Sequence, residues 1–333
     1  MIAGMKLRLL VFLILLAPLP LRAWAAEEAP RGWKNEWLKT DFSRSAVAFE
    51  EILSGGPPRD GIPSIDRPKY ESVDRARKWL DDRSPVISLS IGGEARAWPL
   101  AILMYHEIVN DRFAGVPIAV TYCPLCNAAI VFRRELAGRE LSFGTTGKLR
   151  NSDLVMYDRE TESWWQQFTG EAIIGTLTGE KLERLPSRLE SFARFRARHP
   201  DGRVLRRPFS RNADYGSNPY IGYDSASRPF LYDGRMPEGI HPLMRVVSVG
   251  DRAWTLDYLR RKGRIETADG LVLSWEEGQA SALDAPLIAD SRDVGNVTVV
   301  RRTPEGMMDV VHGIDFAFAF HAFHPDAEII DGD

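Results

Sequence analysis

One short pattern occurs twice in this chain, and a repeat limits the fold more than composition does, because each copy must bury its apolar face against similar neighbours. Residues 88–103 read S-L-S-I-G-G-E-A-R-A-W-P-L-A-I-L, and residues 246–259 read V-V-S-V-G-D-R-A-W-T-L-D-Y-L. Aligned from the turn, Ser90, Gly92, Arg96, Ala97, Trp98, Leu100 and Leu103 meet Ser248, Gly250, Arg252, Ala253, Trp254, Leu256 and Leu259. The second copy is two residues shorter at the turn. Each copy runs from a β-branched strand through a glycine turn to Arg-Ala-Trp, with Gly92-Gly93-Glu94 and Gly250-Asp251 supplying the positive φ of tight hairpins. Residues 99–106 then suit a helix, with Pro99 in its first turn and Leu100, Leu103 and Met104 on one side. The alternative is two unrelated hairpins that share three residues.

Between the copies the chain is β-rich. Residues 118–122 form a strand, and residues 129–136 and 140–144 flank Ala137-Gly138-Arg139 as a hairpin with a three-residue loop. Residues 154–157 form another strand, ended by Asp158, and residues 189–198 look helical up to His199-Pro200. The expected class is α+β and β-rich: a duplicated strand-turn-strand-helix module with an inserted antiparallel β region. The expected organisation is a signal peptide at 1–25, an N-terminal extension at 26–60, and a first copy plus β-rich region with the cysteines at 61–207. A connecting loop at 208–234 and a second copy with a His-containing end at 235–333 complete it. Tyr215, Tyr220, Tyr223 and Tyr232 give that loop apolar area to bury.

The chain opens as an export signal does. Lys6 and Arg8 precede an unbroken apolar run at 9–16, prolines follow at 18 and 20, and Ala23-Trp24-Ala25 matches a small-x-small cleavage site. A membrane anchor needs about 20 apolar residues, so cleavage near Ala26 and residence in the periplasm or outside the cell are expected. No stable membrane span is expected afterwards. There is no cysteine at the cleavage site for a lipid anchor, and no twin-arginine pair, which favours export unfolded. Loss of Lys6, Arg8 and Arg22, with no acid, moves the formal charge from −3 to −6. Such a chain has no electrostatic case for nucleic acid. Gly144-Thr145-Thr146-Gly147-Lys148 lacks the spacing of a phosphate loop, so no nucleotide cofactor is expected.

The chemistry concentrates at Cys123 and Cys126, the only two cysteines, in T-Y-C-P-L-C-N. Three roles compete. A structural disulfide would close a ring too small for more than about 2 kcal/mol, against about 4.7 for a hundred-residue loop. A dithiol redox centre usually sits where a helix begins, whereas Ile130, Val131 and Phe132 favour a strand here. A metal site uses the two thiolates as a clasp and needs further ligands. His106 is one candidate; His321 and His324 are others, on one face if a helix capped by Asp315 and stopped by Pro325 contains both. For any single histidine, a satisfied polar role is the simpler reading. Trp164 and Trp165, with Tyr220, could line a ligand cleft, although adjacent tryptophans more often pack in a core.

At T-Y-C-P-L-C-N the chain resembles the bacterial exported family catalogued as domain of unknown function 3179. The segments R-A-W-P-L, Y-H-E-I-V-N-D, D-L-V-M-Y-D-R-E-T-E-S-W-W and A-F-H-P match in order, over about residues 60–330. The resemblance implies that Cys123, Cys126, His106 and His324 form one functional set, and it supplies no substrate or cofactor. The leading expectation is an exported metal-binding protein, holding copper or zinc, either as a binding protein alone or as a metalloenzyme of unknown reaction. The alternatives are a thiol–disulfide protein using Cys123 and Cys126 with a redox partner, and a non-catalytic protein that binds a small molecule.

Overall fold

The computed structural model describes residues 28–209 and 213–332, so the signal peptide expected at 1–25 lies outside the described residues. Strands take 38% of the chain and helices 15%, which makes it a β-rich α+β fold. Five multistranded sheets are arranged like the blades of a propeller.

Two of those sheets are built alike. In the first, Pro85–Ile91 and Glu94–Pro99 form an antiparallel hairpin, Arg188–Ser191 adds antiparallel beside Pro85–Ile91, and Arg203–Leu205 adds parallel beside Glu94–Pro99. In the second, Arg245–Val249 and Arg252–Thr255 form the hairpin, Gly313–Phe316 adds antiparallel and Glu328–Ile330 parallel, in the same order. A seven-residue helix links the two outer strands each time, Phe192–Arg198 and Ala317–Phe323, and His-Pro-Asp ends both. The register also corrects the turn-based alignment. Ser88 faces Ala97 as Ser248 faces Ala253, so Ser88 rather than Ser90 is the counterpart of Ser248. Both serines donate to a buried carboxylate on the neighbouring strand, Glu190 and Asp315.

The correspondence continues past the hairpins. The Tyr122 N–H donates to the Glu107 carbonyl at 2.8 Å, and the Trp275 N–H donates to the Gly263 carbonyl at 2.9 Å. Glu107 therefore stands where the other half has Gly263, and Cys123 where it has Glu276. Only the first half carries the extra five-stranded sheet, formed by Phe143–Arg150, Asp153–Asp158, Trp164–Gln166 and Glu171–Ile174, with Ile52–Ser54 at its edge. One large core runs through both halves, while Trp37, Phe49 and Trp164 anchor the N-terminal extension in a second cluster.

Several local expectations change. The helix expected at 99–106 is four residues, Leu100–Leu103, preceded by Pro99. The segment 189–198 divides: Arg188–Ser191 is a strand because it pairs with Pro85–Ile91, and the Ser191 hydroxyl then accepts from the Arg194 N–H to start the helix. The hairpin at 135–140 turns through two residues, Ala137 (φ 48°) and Gly138 (φ 75°), the sense that matches strand twist. Asp315 caps nothing. It lies inside the strand Gly313–Phe316, and Phe316 precedes the helix. Among the described residues no helix is long and apolar enough to cross a membrane.

Candidate metal centre

Cys123 is the last residue of the strand Val116–Cys123 and sits opposite Ala128 across a tight turn. Pro124 starts that turn and Asn127, at φ 52°, closes it, with its N–H on the Pro124 carbonyl at 3.2 Å. Asparagine tolerates that left-handed backbone better than most side chains. Its amide donates to the Ile314 carbonyl at 2.7 Å, and the Phe316 N–H donates to the Cys126 carbonyl at 2.9 Å, so the second half grips the turn.

The inserted sheet delivers a third ligand atom. Asn151 (φ 53°) and Ser152 (φ 62°) make a tight turn between strands, and Asp153 is the first residue after it. Asparagine suits such a turn; serine does not, and two successive left-handed residues without glycine store strain, a feature often found at functional sites. The result is a cluster in which both sulfurs and one Asp153 carboxylate oxygen lie within 4.8 Å of one another, all buried. Asp153 Oδ2 accepts from Gln166 Nε2 at 2.7 Å and from the Phe168 N–H at 2.8 Å. Asp153 Oδ1 is buried and makes no hydrogen bond of ordinary geometry.

Burial sets the electrostatics. It pushes both thiols up, Cys126 more strongly, although the Cys126 thiol and backbone N–H draw the Cys123 value back down. Burial raises the Asp153 carboxyl to about 7 against the pull of its Gln166 and Phe168 hydrogen bonds. Glu107 is raised to about 8 by burial and then by Asp153, and Asp315 to about 6 by burial despite Arg184. These buried acids stand close together, and without a cation each keeps its proton to a higher pH than an exposed carboxyl does.

The histidines are elsewhere. His106 Nδ1 lies 2.8 Å from the Pro63 carbonyl and Nε2 lies 2.7 Å from the Tyr215 hydroxyl, so both ring nitrogens are engaged. His324 is not on the helix face assigned to it from sequence. It follows the helix as its C-cap, outside helical geometry, stacks on Phe320 at 4.9 Å, and meets Asp251 at 3.0 Å through Nδ1. His199 holds the same place against Phe195 in the first half. His321 is buried on the helix, and its Nε2 makes no hydrogen bond. No ring nitrogen of the three joins the sulfur–carboxylate cluster. Each is held by local packing that the sequence pattern does not reveal.

A cleft of about 440 Å³ adjoins the cluster. Leu125 and Leu154, chain neighbours of Cys126 and Asp153, line it together with Glu107, Lys148, Tyr220 and Tyr223. Tyr220 thus stands in a cleft wall. Trp164 and Trp165 do not: both are fully buried, Trp164 against Trp37 at 5.2 Å and Trp165 donating to Asp158 at 2.9 Å. Asp153 and Glu107 were missed as candidates. Asp153 is far from the cysteines along the chain, and Glu107 follows His106, the residue type that more often binds zinc or copper.

Two thiolates and a carboxylate suit a borderline or soft ion and leave a fourth position open, the pattern of reactive rather than purely structural sites. Thiol–disulfide exchange is less well served. It needs an accessible sulfur with thiolate character, whereas Cys123 is 2% exposed, Cys126 0%, and both are raised by burial.

A family model described as Protein of unknown function (DUF3179) matches residues 59–327. The chain belongs to that family. The DUF3179 match takes in the first of the two similar sheets, the second except its last strand Glu328–Ile330, the inserted sheet except its edge strand Ile52–Ser54, Glu107, the cysteine turn and Asp153, and it begins after most of the N-terminal extension. Among curated proteins and among solved structures nothing matches the chain.

Proposed function

We propose that this DUF3179 protein is exported and binds one copper or zinc ion between Cys123, Cys126 and Asp153. The observation that carries the reading is the meeting of three ligand atoms, two sulfurs and an Asp153 carboxylate oxygen, within 4.8 Å in the interior. A cation of charge two replaces protons that burial otherwise keeps on these groups, so binding releases protons and strengthens as pH rises. Zinc, or copper in its reduced state, matches two thiolates better than a hard oxygen-seeking ion does. Asp153 takes the place that the sequence reading gave to histidine.

The matched strand orders and registers support reading the two halves as copies of one module. On that reading the first copy gained or kept the thiols and the inserted sheet, and the second is scaffold. The basic start, apolar run and Ala-x-Ala site support export, and the mature N-terminus recovered from a secreting host should lie near Ala26.

The test is metal content. Protein purified under reducing conditions and exposed to zinc or copper(I) should retain about one equivalent. Cys123→Ser and Asp153→Asn should each lose it, while His106→Ala keeps it. Equal metal in wild type, Cys123→Ser and Asp153→Asn, or loss in His106→Ala alone, would overturn the assignment.

A further inference from the structure

The cleft beside the cluster holds a carboxyl that the metal site does not use. Glu107 lines the cleft, is 8% exposed, and stands outside the group formed by the two sulfurs and Asp153. Among the described residues its carboxyl accepts no hydrogen bond and pairs with no cation. Neither oxygen is sealed from solvent, and the cleft is the opening that Glu107 lines. The Tyr220 hydroxyl stands near it in the same wall. Burial and then the Glu107 charge raise that phenol, and among the described residues it too makes no hydrogen bond. No basic group answers the acid. Lys148 borders the cleft, but its ammonium lies toward Trp33 and Trp164, 5.5 Å from each ring, and Glu36 at 4.0 Å, none of which lines it.

Glu107 is held there at a cost. It keeps φ 55° where the matching place in the other half is Gly263 at φ 68°, and backbone strain of this kind gathers at functional sites. A carboxyl without a partner in an apolar wall is costly as well. Burial and then Asp153 raise it to about 8, and a cation set against it would offset that penalty. The rest of the wall is apolar, with Leu125, Leu149, Leu154 and Tyr223. Ile221 and Phe230 also line it while 63% and 52% exposed, surface that a bound body would cover. Apolar area with a few polar groups converging on one spot is the usual make-up of a small-molecule site.

We propose that the cleft binds a small apolar-bodied amine in its ammonium form. The ammonium donates to the Glu107 carboxylate and the Tyr220 hydroxyl oxygen, and the body lies against Tyr223, Ile221 and Phe230. Charge-assisted hydrogen bonds of this kind are about twice as strong as neutral ones. The inference goes beyond the metal reading, since Glu107 and the apolar walls hold the amine whether or not an ion is bound.

The experiment compares 2-naphthylmethylamine with its neutral counterpart 2-naphthylmethanol by titration calorimetry on the purified mature chain. A chelator is present, so that no ion can take the amine nitrogen. Wild-type protein should bind the amine at least about tenfold more tightly than the alcohol, or about 1.4 kcal/mol. Glu107→Gln should remove that preference and leave the alcohol's affinity unchanged. Glu107→Gly, the residue of the other half, should remove the preference too. Equal affinities in the wild type, which need no variant to measure, would overturn the proposal. So would a preference that survives in either folded variant. Metal content is read separately: an amine preference in protein that retains no zinc keeps the cleft and sinks the centre, and one zinc retained without any preference does the reverse.

Discussion

At the residue scale, the chemistry lies with acids that burial keeps protonated. Unfolded, Asp153 and Glu107 titrate near 3.8 and 4.5; folded and metal-free, they are raised to about 7 and about 8. Between those values the native state holds protons that the unfolded chain has lost. Stability therefore falls as pH rises through the window, by up to about 1.4 kcal/mol per pH unit for each group. The melting temperature of metal-free protein should drop from pH 5 to pH 8, Asp153→Asn should flatten part of that slope, and zinc should reverse it. A wild-type slope no steeper than that of Asp153→Asn would contradict the shift assigned to Asp153. Glu107 adds a second expectation. It holds φ 55° where the other half has Gly263 at φ 68°, and among the described residues its carboxyl makes no hydrogen bond. Glu107→Gly should therefore stabilise metal-free protein, by about 1 kcal/mol, as read by urea unfolding. Destabilisation would mean that the side chain packs more than it strains. The cysteine pair was legible from spacing alone. These two carboxylates were not, because nothing in their local pattern separates them from the chain's many solvated acids.

At the scale of elements, the hairpins were legible and their completion was not. Arg-Ala-Trp after a glycine turn marked the first two strands of each sheet, since alternation and turn chemistry act over a few residues. The third strands, Arg188–Ser191 and Gly313–Phe316, are four residues each and run directly into helices. Their strand character comes from pairing with a distant hairpin, so the local pattern of residues 189–198 alone reads as helix throughout. The same context explains His324. Its backbone N–H bonds the Phe320 carbonyl at 2.9 Å, as the His199 N–H bonds Phe195 at 2.8 Å, and each imidazole packs on that phenylalanine. These are helix ends with an aromatic cover. His199→Ala and His324→Ala should each cost about 1 kcal/mol in urea unfolding and leave bound zinc unchanged. Loss of metal in His324→Ala would return that residue to the site.

At the scale of the whole molecule, the candidate site is where three parts of the chain meet. The first half supplies the cysteine turn, the inserted sheet supplies Asp153, and the second half pins the turn through Ile314 and Phe316. A single hairpin would have neither the third ligand atom nor the buried setting that gives the thiols and carboxyls their raised values. This also explains why the two similar hairpins and the sulfur pair could be seen in the sequence while the acid beside the sulfurs could not: register between distant strands decides which acid reaches them. The most direct measurement is X-ray absorption at the metal edge of zinc-loaded protein. The account predicts two sulfur neighbours at about 2.3 Å with oxygen neighbours near 2.0–2.2 Å, no imidazole signature, and an oxygen shell that changes in Asp153→Asn. Imidazole scattering, or a first shell that Asp153→Asn leaves unaltered, would contradict it.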